Sequence, residues 1–537
     1  MKINKYFGFA LASAMMFAAC QEVDNALQGG TVTEEQKSEV ALDNPEKLSS
    51  DMNALKDNLI QYGTISTSSS TYHTDFGFPA FCLMYDQAGQ DMVSVDHGYN
   101  WFSGQLTFAD RAKTNTYNRF IWQLHYQHIK SANSILKTLV SDEEPEGTIA
   151  NYIGQAYASR AFDYLQLVQT YQFTYLGHED AFALPIITET MSDDEAMNNP
   201  LKTVSEVYTQ IMNDLNTAIP LLENNPIEGD KATITAAVAY GLRARANMLM
   251  GQYADAASDA DAALTLSGAT PYSIAEVSVP SFNNASANSW IWGCIITSNN
   301  DVVQTGIINW PSHLCSMTGN GYTTGIGVDY VHKRINSTLW AKIPATDVRK
   351  GWWIDENMSS PLLVNAYGAV YGPMLPGVCT MAPYTNVKFG NEGDILDADN
   401  SEDWPIMRAE EMLLIKAEAL GRVRLADGKQ VLEDFVKTYR DPAYTCTAAD
   451  LNAFIDEVWF QRRIELWGEG FSLFDVLRLK KPIIRKGANF DANVTYEDLP
   501  AESEVFIYSI PEREREANKG IDVSLLREDP VPPVGLM

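Results

Sequence analysis

Residues 236–264 constrain the fold more than any other part of the sequence. Small residues recur in this segment at helical spacing, and Gly251, Gln252 and Tyr253 divide it into two halves. This pattern is typical of a tetratricopeptide unit, in which small side chains let two helices approach closely. Because stacked neighbours bury the remaining apolar face of such a unit, we expect further helical pairs next to it. The alternative is an unrelated helical hairpin with alanines at its crossing.

Three segments upstream show the same helical period. In residues 203–222 apolar side chains recur at intervals of three and four, and Thr203 with Glu206 forms a capping box. Residues 119–139 and 148–169 repeat this spacing. We therefore predict that residues 45–270 form a helical, tetratricopeptide-like region.

The composition changes between residues 271 and 403. Glycine, asparagine, proline and aromatic residues replace the alanine-rich pattern, and only short β-like runs such as residues 289–297 occur. Long loops on a rigid scaffold often carry binding residues, so we interpret residues 271–403 as an irregular, partly β, ligand-binding insert.

A helical pattern returns after the insert. It begins at Pro405, ends at Gly421 and recurs over residues 448–467. We expect residues 404–537 to form helices and a closing segment that pack back on the scaffold. The predicted fold class is mainly α, a helical-repeat scaffold with a partly β insert.

The N-terminus has the pattern of an export signal. Two lysines precede the apolar residues 6–19, and two alanines stand directly before Cys20. A membrane-spanning helix needs about 20 apolar residues, so we interpret residues 1–19 as a signal peptide. The site resembles the lipobox of bacterial lipoproteins, which implies that Cys20 is acylated as a lipid anchor. Residues 20–44, polar and acidic without periodicity, are predicted to be a flexible tether.

Charge and cysteine content exclude several classes of protein. The chain has 69 acidic and 39 basic residues and a net charge of −30, so nucleic acid is not an expected partner. The five cysteines other than Cys20 are widely spaced and odd in number, which argues against a disulfide framework. No apolar run after the signal is long enough to span a membrane, so we expect a soluble body on a lipid tether.

Motifs in the second half of the chain resemble one family when taken in order. The strongest runs from Trp404 through Arg408 to Ala417-Glu418-Ala419. Further matches are Arg462-Arg463-Ile464-Glu465-Leu466, Glu469-Gly470, Asp475-Val476-Leu477-Arg478, Ile510-Pro511 and Glu516-Ala517-Asn518, with shorter ones at Ala132-Asn133, Arg160-Ala161-Phe162, Asp347-Val348-Arg349 and Lys388-Phe389. This order resembles the SusD/RagB-like outer-membrane nutrient-binding lipoproteins of Gram-negative bacteria. Gln461 stands where that family usually has glutamate, and Ser472 where a basic residue is common.

The resemblance implies a fold of about four tetratricopeptide-like helical pairs with a variable insert. It implies a lipoprotein of the outer membrane that faces the cell exterior and captures oligosaccharides. The implied partner is a SusC-like TonB-dependent transporter, which the lipoprotein caps as a lid. Catalytic residues, a metal and a cofactor are not expected. We interpret the motifs as structural, with Arg408, Arg462 and Arg463 pairing with nearby glutamates.

Aromatic residues beside polar ones are the signal for ligand binding. Sugar rings present C–H faces that pack on Trp or Tyr, while their hydroxyls need planar polar partners. Such a group lies between helical segments, and the insert supplies further candidates, of which several are expected to be core residues. The first group is Asp96, His97, Tyr99, Asn100 and Trp101, and the insert candidates are Trp310, Tyr322, Trp340, Trp352 and Tyr371. Trp290 and Trp292 share a face of a predicted strand and are interpreted as packing within the insert.

Other chemistries have weaker support in the sequence. Glu465 and Glu469 could form the carboxylate pair of a glycosidase, but neighbouring arginines favour ion pairing. His125 and His128 lack the further ligands of a metal motif, and residues 193–195 lack EF-hand spacing. Two alternatives to glycan capture stay open. One is peptide capture by a RagB-type protein of the same fold, and the other is a structural adaptor without a ligand.

Overall fold

The computed structural model describes residues 34–95, 101–322, 332–368, 381–391, 397–491 and 498–532. The α-helices there are α1 (Glu34–Asp43), α2 (Ser49–Asp57), α3 (Phe78–Ala88), α4 (Ser103–Leu106), α5 (Thr116–Leu139), α6 (Gly147–Tyr171), α7 (Asp193–Met197), α8 (Val204–Asn224), α9 (Ala236–Leu249), α10 (Tyr253–Ser267), α11 (Asp301–Gln304), α12 (Trp310–Leu314), α13 (Ser337–Lys342), α14 (Pro361–Tyr367), α15 (Ala409–Val423), α16 (Leu425–Tyr439), α17 (Leu451–Glu465), α18 (Ser472–Arg478) and α19 (Glu512–Ala517). Short 3-10 helices lie at Pro45–Leu48, Asn58–Ile60, Glu276–Ser278, Val348–Trp352, Glu504–Phe506 and Val523–Leu525.

The strands are short and pair in twos. They are β1 (Met92–Val93), β2 (Phe182–Leu184), β3 (Lys202–Thr203), β4 (Trp290–Cys294), β5 (Arg334–Ile335) and β6 (Trp404–Arg408). Antiparallel pairs form between β1 and β5, β2 and β3, and β4 and β6. Among the described residues, no helix is both long and apolar enough to cross a membrane. The fold is therefore mainly α, as the sequence predicts.

The long helices form a row in which each packs on the next. α5 packs on α6, α6 on α8, α8 on α9, and α9 on α10. The row continues with α15 against α10, followed by α16 and α17 against α15. The predicted two-helix unit at residues 236–264 is confirmed as α9 and α10, with helical neighbours on both sides. Its apolar face is covered by those neighbours, as a repeat unit requires.

Local signals account for the helix boundaries. Thr203 accepts a hydrogen bond from the backbone N–H of Glu206, and the Glu206 side chain accepts one from the Thr203 N–H, so the predicted capping box starts α8.

Only glycine fits where α15 meets α16, because the two helices approach each other closely. A Cβ at Gly428 would lie 2.4 Å from the carbonyl O of Ala417 and 2.5 Å from the Cα of Gly421. This helix crossing therefore excludes any larger residue at position 428.

Two predictions about chain segments are wrong. The last part of the predicted tether forms α1, because Ala41 packs on α5 in a small core and Ser38 Oγ donates a hydrogen bond to the carbonyl O of Thr138 at 2.7 Å. The helix predicted from Pro405 begins instead at Ala409, since residues 404–408 form β6 opposite β4. Proline is tolerated in a two-stranded sheet because each strand has a free edge. Residues 20–33, including Cys20, lie outside the described residues.

The strand pair β4–β6 fastens the insert to the scaffold. Trp290 and Trp292 are buried, as expected, but Trp292 also packs outside the insert. The Trp292 ring meets Phe162 of α6 edge-on, with centroids 5.0 Å apart. The indole N–H of Trp290 donates to the hydroxyl of Tyr272 at 2.8 Å. The Trp292 ring therefore attaches the insert to the helical row, whereas the Trp290 indole is hydrogen-bonded within the insert.

A buried cluster of charges lies beside this strand pair. Arg408 donates to both carboxylate oxygens of Glu469 at 2.8 and 2.9 Å, and Lys388 donates to Glu469 at 2.7 Å. Arg440 donates to both carboxylate oxygens of Glu465 at 2.8 Å. Burial alone would raise the pKa of Glu465, but Arg440, Arg408 and Arg349 hold that pKa well below its usual range. Both glutamates are therefore ion-paired, as the sequence favours.

The other two motif arginines have aspartate partners instead of the predicted glutamates. Arg462 donates to Asp475 at 2.8 Å, and Arg463 donates to Asp91 at 2.9 Å. Asp91 directly precedes β1, so Arg463 links α17 to the part of the chain that leads to residue 101. The motif is structural in this protein. Its arginines form ion pairs with aspartates elsewhere in the chain and not with neighbouring residues.

Two buried histidines share one carboxylate between α5 and α6. The Nδ1 atoms of His125 and His128 each lie 2.8 Å from an oxygen of Asp163, and His128 Nε2 is hydrogen-bonded to the carbonyl O of Leu55 at 2.8 Å. These contacts make the pair a packing element of the core. Within the described ranges, no group of three or more His, Cys, Asp or Glu side chains could hold a metal ion.

Cysteines in the described ranges add no covalent links. Cys82, Cys294, Cys315 and Cys446 are free thiols, and all four are buried. Residues 193–195, considered as a calcium ligand set, are exposed at the start of α7, where Ser192 and Glu195 form a capping box. The carboxylate of Glu195 is therefore used to cap the helix.

We predict that Glu465→Ala destabilises the protein strongly. The substitution leaves Arg440, Arg408 and Arg349 buried without this carboxylate, which typically costs about 3–5 kcal/mol. Urea denaturation of the chain from residue 21 onward measures this loss. The matched control is Asp456→Ala on the same helix, where an exposed pair with Lys481 contributes about 1 kcal/mol or less. Equal losses in both variants would contradict a central role of the cluster.

We also predict a pH dependence of stability that arises from His128. Burial alone lowers the pKa of His128, but the charge and hydrogen bond of Asp163 outweigh burial and raise this pKa above 6.5. The protonated ring then stabilises the fold below about pH 6.5, and this contribution is lost as the pH rises through the raised pKa. The free energy of unfolding should fall less with rising pH in His128→Gln than in the wild type. A slope in His128→Gln that equals the wild-type slope would contradict this origin.

Candidate functional site

The structure separates the sequence-predicted binding residues into three groups. Trp101, Trp340 and Tyr322 have some exposed surface, although Tyr322 has only 7%. Trp310 and Trp352 lie in the core. The remaining candidates lie outside the described residues, and they are Asp96, His97, Tyr99, Asn100 and Tyr371.

Trp310 and Trp352 are core residues, which corrects their assignment as ligand contacts. They are 1% and 0% exposed, so neither ring has a face open to a sugar. Their indole N–H groups are also occupied. Trp310 donates to the carbonyl O of Glu402 at 2.8 Å, and Trp352 donates to that of Val277 at 3.0 Å. Both rings therefore hold the base of the insert.

Trp101 and Tyr322 come together through two histidines. The Trp101 ring stacks on His73 with centroids 4.4 Å apart and planes 9° from parallel. His73 meets Tyr322 at 5.7 Å, and Tyr322 stacks on His313 at 4.3 Å. We name these four rings, Trp101, His73, Tyr322 and His313, the aromatic ladder. It places two of the sequence-predicted residues, which are far apart in the chain, in one continuous series of ring contacts.

Hydrogen bonds hold the ladder in place. The hydroxyl of Tyr322 is hydrogen-bonded to His73 Nδ1, and His313 Nε2 donates to the carbonyl O of His73 at 2.9 Å. Below the ladder, His313 stacks on Phe76 at 5.4 Å and meets Phe102 edge-on at 5.1 Å. The inner end of the ladder therefore belongs to the core, while its outer end, Trp101, reaches the surface.

The ladder is electrically neutral at neutral pH. Burial lowers the pKa of His73 below 6.5. Burial and then the nearby Lys333 lower the pKa of His313 well below that value. Burial raises the pKa of Tyr322, which keeps its hydroxyl protonated. The ladder therefore offers uncharged rings with polar edges.

Trp101 has one unsatisfied group at this site. Its indole N–H is buried and has no hydrogen-bond partner among the described residues. A buried donor without an acceptor is rare and costs free energy, so it requires an explanation. A ligand oxygen or a bound water at this position would supply the acceptor.

A pair of strands links the insert, which contributes two rings of the ladder, to the segment that contains Trp101. β1 pairs with β5, so that Val93 lies opposite Arg334, and Lys333 Nζ lies 5.6 Å from the ring centre of Phe102. Burial lowers the pKa of Lys333 to about 7. Along the chain, β1 leads to Trp101, and Tyr322 leads to β5. The strand pair and the ladder therefore lie in one region of the molecule.

Sequence reasoning missed His73 and His313. The chain has 7 histidines, and neither of these two lies at a spacing that links it to Trp101. His73 follows a serine- and threonine-rich run, and His313 lies inside α12. No pattern in the linear sequence indicates that these rings contact one another in the folded protein.

Two family models match this chain over different segments. Residues 33–248 match a family described as starch-binding and associating with the outer membrane, and residues 380–523 match the SusD family. The chain belongs to the SusD/RagB-like family. Among curated proteins, none matches the chain.

Solved structures show the same fold. A SusD-like carbohydrate-binding protein from Bacteroides vulgatus has 22% identity and a TM-score of 0.71, over 89% of this chain and 97% of its own. A SusD superfamily protein from Bacteroides thetaiotaomicron has 19% identity and a TM-score of 0.64, over 93% and 100%. A laminarin-binding SusD-like protein has 20% identity and a TM-score of 0.61, over 89% and 98%.

The family matches establish the scaffold of this SusD-like protein and not its ligand. Residues 249–379 lie outside both matched segments. They include His313 and Tyr322 of the aromatic ladder as well as Trp340. The residues that distinguish one ligand from another must therefore be identified from the geometry of this chain.

Proposed function

We propose that this protein captures glycans at the cell surface and delivers them to a SusC-like TonB-dependent transporter. The observation that carries the proposal is the aromatic ladder, which ends in a partly exposed Trp101 whose indole N–H has no acceptor among the described residues. A sugar can pack its C–H face on such a ring and offer a hydroxyl oxygen to the N–H.

The comparisons support the carbohydrate class. One matched family is described as starch-binding, and two solved structures of the same fold are a carbohydrate-binding and a laminarin-binding protein. We further propose that Cys20 carries the lipid anchor and that the protein faces the cell exterior at the outer membrane. Family membership supports the proposed transporter partner and the proposed location.

Binding and release, without cleavage, is the proposed mechanism. The carboxylates considered for a glycosidase, Glu465 and Glu469, are bonded to buried arginines and a lysine. Neutral rings at the ladder bind by stacking and hydrogen bonding, so neither a cofactor nor a metal is part of the proposal. Delivery then requires only that the ladder release the sugar when the transporter is engaged.

We predict that Trp101→Ala weakens glycan binding by at least about tenfold, which corresponds to about 1.4 kcal/mol. Isothermal titration calorimetry of the chain from residue 21 onward tests this against starch, laminarin, xylan, pectin and a mixed peptide digest. The matched control is Trp459→Ala, because Trp459 is also partly exposed but lies on α17 between Arg463 and Lys481. The control should bind like the wild type.

Each other result of this titration has a separate meaning. Binding that survives in Trp101→Ala would move the site away from the ladder. A response to peptides alone would replace the glycan proposal with the RagB-type peptide alternative. If the wild type binds nothing in the panel, the role of a structural adaptor is favoured.

A further inference from the structure

A cavity of about 800 Å³ lies where the helical row meets the insert. One side of it is formed by the ends of α8, α9 and α10, and the other side by β4 and the residues that precede β4. Small-molecule sites usually have volumes of about 300–1,000 Å³. Among the described residues that line the cavity, none belongs to the aromatic ladder. The cavity is therefore a place separate from the proposed glycan site.

The connection between α8 and α9 creates this space. It consists of residues 225–235, whereas only residues 250–252 join α9 to α10. Two hydrogen bonds fasten the long connection to β4. Gly293 N donates to the carbonyl O of Lys231 at 2.9 Å, and the indole N–H of Trp292 donates to that of Ala232 at 3.2 Å. The connection therefore closes one side of the cavity and holds the helix ends away from the insert.

Most of the cavity wall is apolar. Leu222 and Ile234 contribute from the scaffold, and Ile291 and Ile295 contribute from the insert. Leu266 lies on the same wall with 48% of its surface exposed, so the cavity opens to solvent beside this side chain. A concave apolar surface of this kind suits a ligand with an apolar body.

The chain from Lys231 to Ala237 gives the cavity a positive character. The Lys231 ammonium donates to the carbonyl O of Trp290 at 2.7 Å, but it forms no ion pair with a described residue. Burial lowers the pKa of Lys231, and no described carboxylate offsets this effect. Thr235, the N-cap of α9, makes no side-chain hydrogen bond to the first turn, where Ala236 and Ala237 line the cavity. The N–H groups of a first helical turn attract anions.

The acidic residues of the wall have donors of their own. Asp403 accepts hydrogen bonds from two backbone N–H groups of the insert, each at 2.8 Å. Asp230 accepts from Lys56 at 3.3 Å, and Glu223, which is exposed, accepts from the Tyr240 hydroxyl at 3.3 Å. The net charge of −30 opposes anions, but screening limits this effect to about 10 Å, so the local groups decide. One ammonium suits a ligand with a single negative charge.

We infer that this cavity binds a small apolar molecule that carries one carboxylate, such as a medium-chain fatty acid. The apolar body packs on Leu222, Ile234 and Ile291. The carboxylate accepts hydrogen bonds from the Lys231 ammonium and from the first turn of α9. This site goes beyond the proposed function, because its ligand class and its residues differ from those of the ladder.

Isothermal titration calorimetry of the chain from residue 21 onward tests the inference. The probes are decanoate, decyltrimethylammonium and decanol, which share one apolar chain and differ in the charge of the head group. All three are used below the concentrations at which they aggregate. Comparison of the acid with the cation and the alcohol separates recognition of the carboxylate from burial of the apolar chain.

Two variants remove the positive character in different ways. Lys231→Met keeps the apolar stem and removes the charge. Thr235→Asp places a carboxylate at the N-cap, where it stabilises the helix and occupies the place of the ligand carboxylate. The matched control is Lys202→Met, because Lys202 lies on β3 and does not line the cavity. Urea denaturation of each variant confirms that it is folded.

We expect the wild type to bind decanoate at one site and at least about tenfold more tightly than decyltrimethylammonium or decanol. Lys231→Met and Thr235→Asp should each weaken decanoate binding by about tenfold, since each removes charge-assisted hydrogen bonds. Lys202→Met should bind decanoate like the wild type.

Three results would overturn the inference. Decanoate that binds no more tightly than decyltrimethylammonium would show that the cavity does not select an anion. Unchanged decanoate affinity in both Lys231→Met and Thr235→Asp would place the acid elsewhere on the protein. Absence of saturable decanoate binding to the wild type would remove the ligand class altogether. The proposed function stands in all three cases, because the glycan titration with Trp101→Ala tests it separately.

Discussion

The buried charge cluster around Glu465 and Glu469 is the interaction on which the rest of the structure depends. Its cations come from separate parts of the chain, with Lys388 in the insert, Arg408 on β6 and Arg440 after α16. Each charge is stable away from water only while its partners stay in place. A loop-rich insert would otherwise have many conformations, so this cluster gives it a fixed base on the helical row.

The same base explains why the insert tryptophans have two different roles. Lys388 Nζ lies 5.1 Å from the ring centre of Trp352, and Trp310 packs edge-on against Trp404 with centroids 5.0 Å apart. These rings are buried where the insert joins the scaffold. Trp101 and Trp340 keep exposed surface. The abundance of aromatic residues in the sequence therefore does not by itself indicate a binding site, since buried rings serve attachment and only exposed rings are candidates for ligand contact.

Sequence reasoning predicted what local periodicity encodes. α8 with its capping box and the α9–α10 pair follow from spacing and from small residues, because a helix satisfies its hydrogen bonds within one segment. The strand β6 was missed because its partner β4 lies more than a hundred residues earlier, and no short-range period marks such a pairing. The ladder was predicted only at Trp101 and Tyr322, since stacking on His73 and His313 depends on tertiary packing.

The neutral ladder fits the charge of the whole protein. A net charge of −30 surrounds the molecule with a field that repels anions, although screening limits this repulsion to about 10 Å at ordinary salt. This field neither strengthens nor weakens the binding of a neutral ligand to a site made of uncharged rings. Stacking on Trp101 needs a flat apolar face, and its indole N–H, which has no partner in the part of the chain that the structure describes, needs an oxygen acceptor. A neutral sugar ring offers both groups in one small molecule, whereas an acidic ligand would meet repulsion before it reached the ladder.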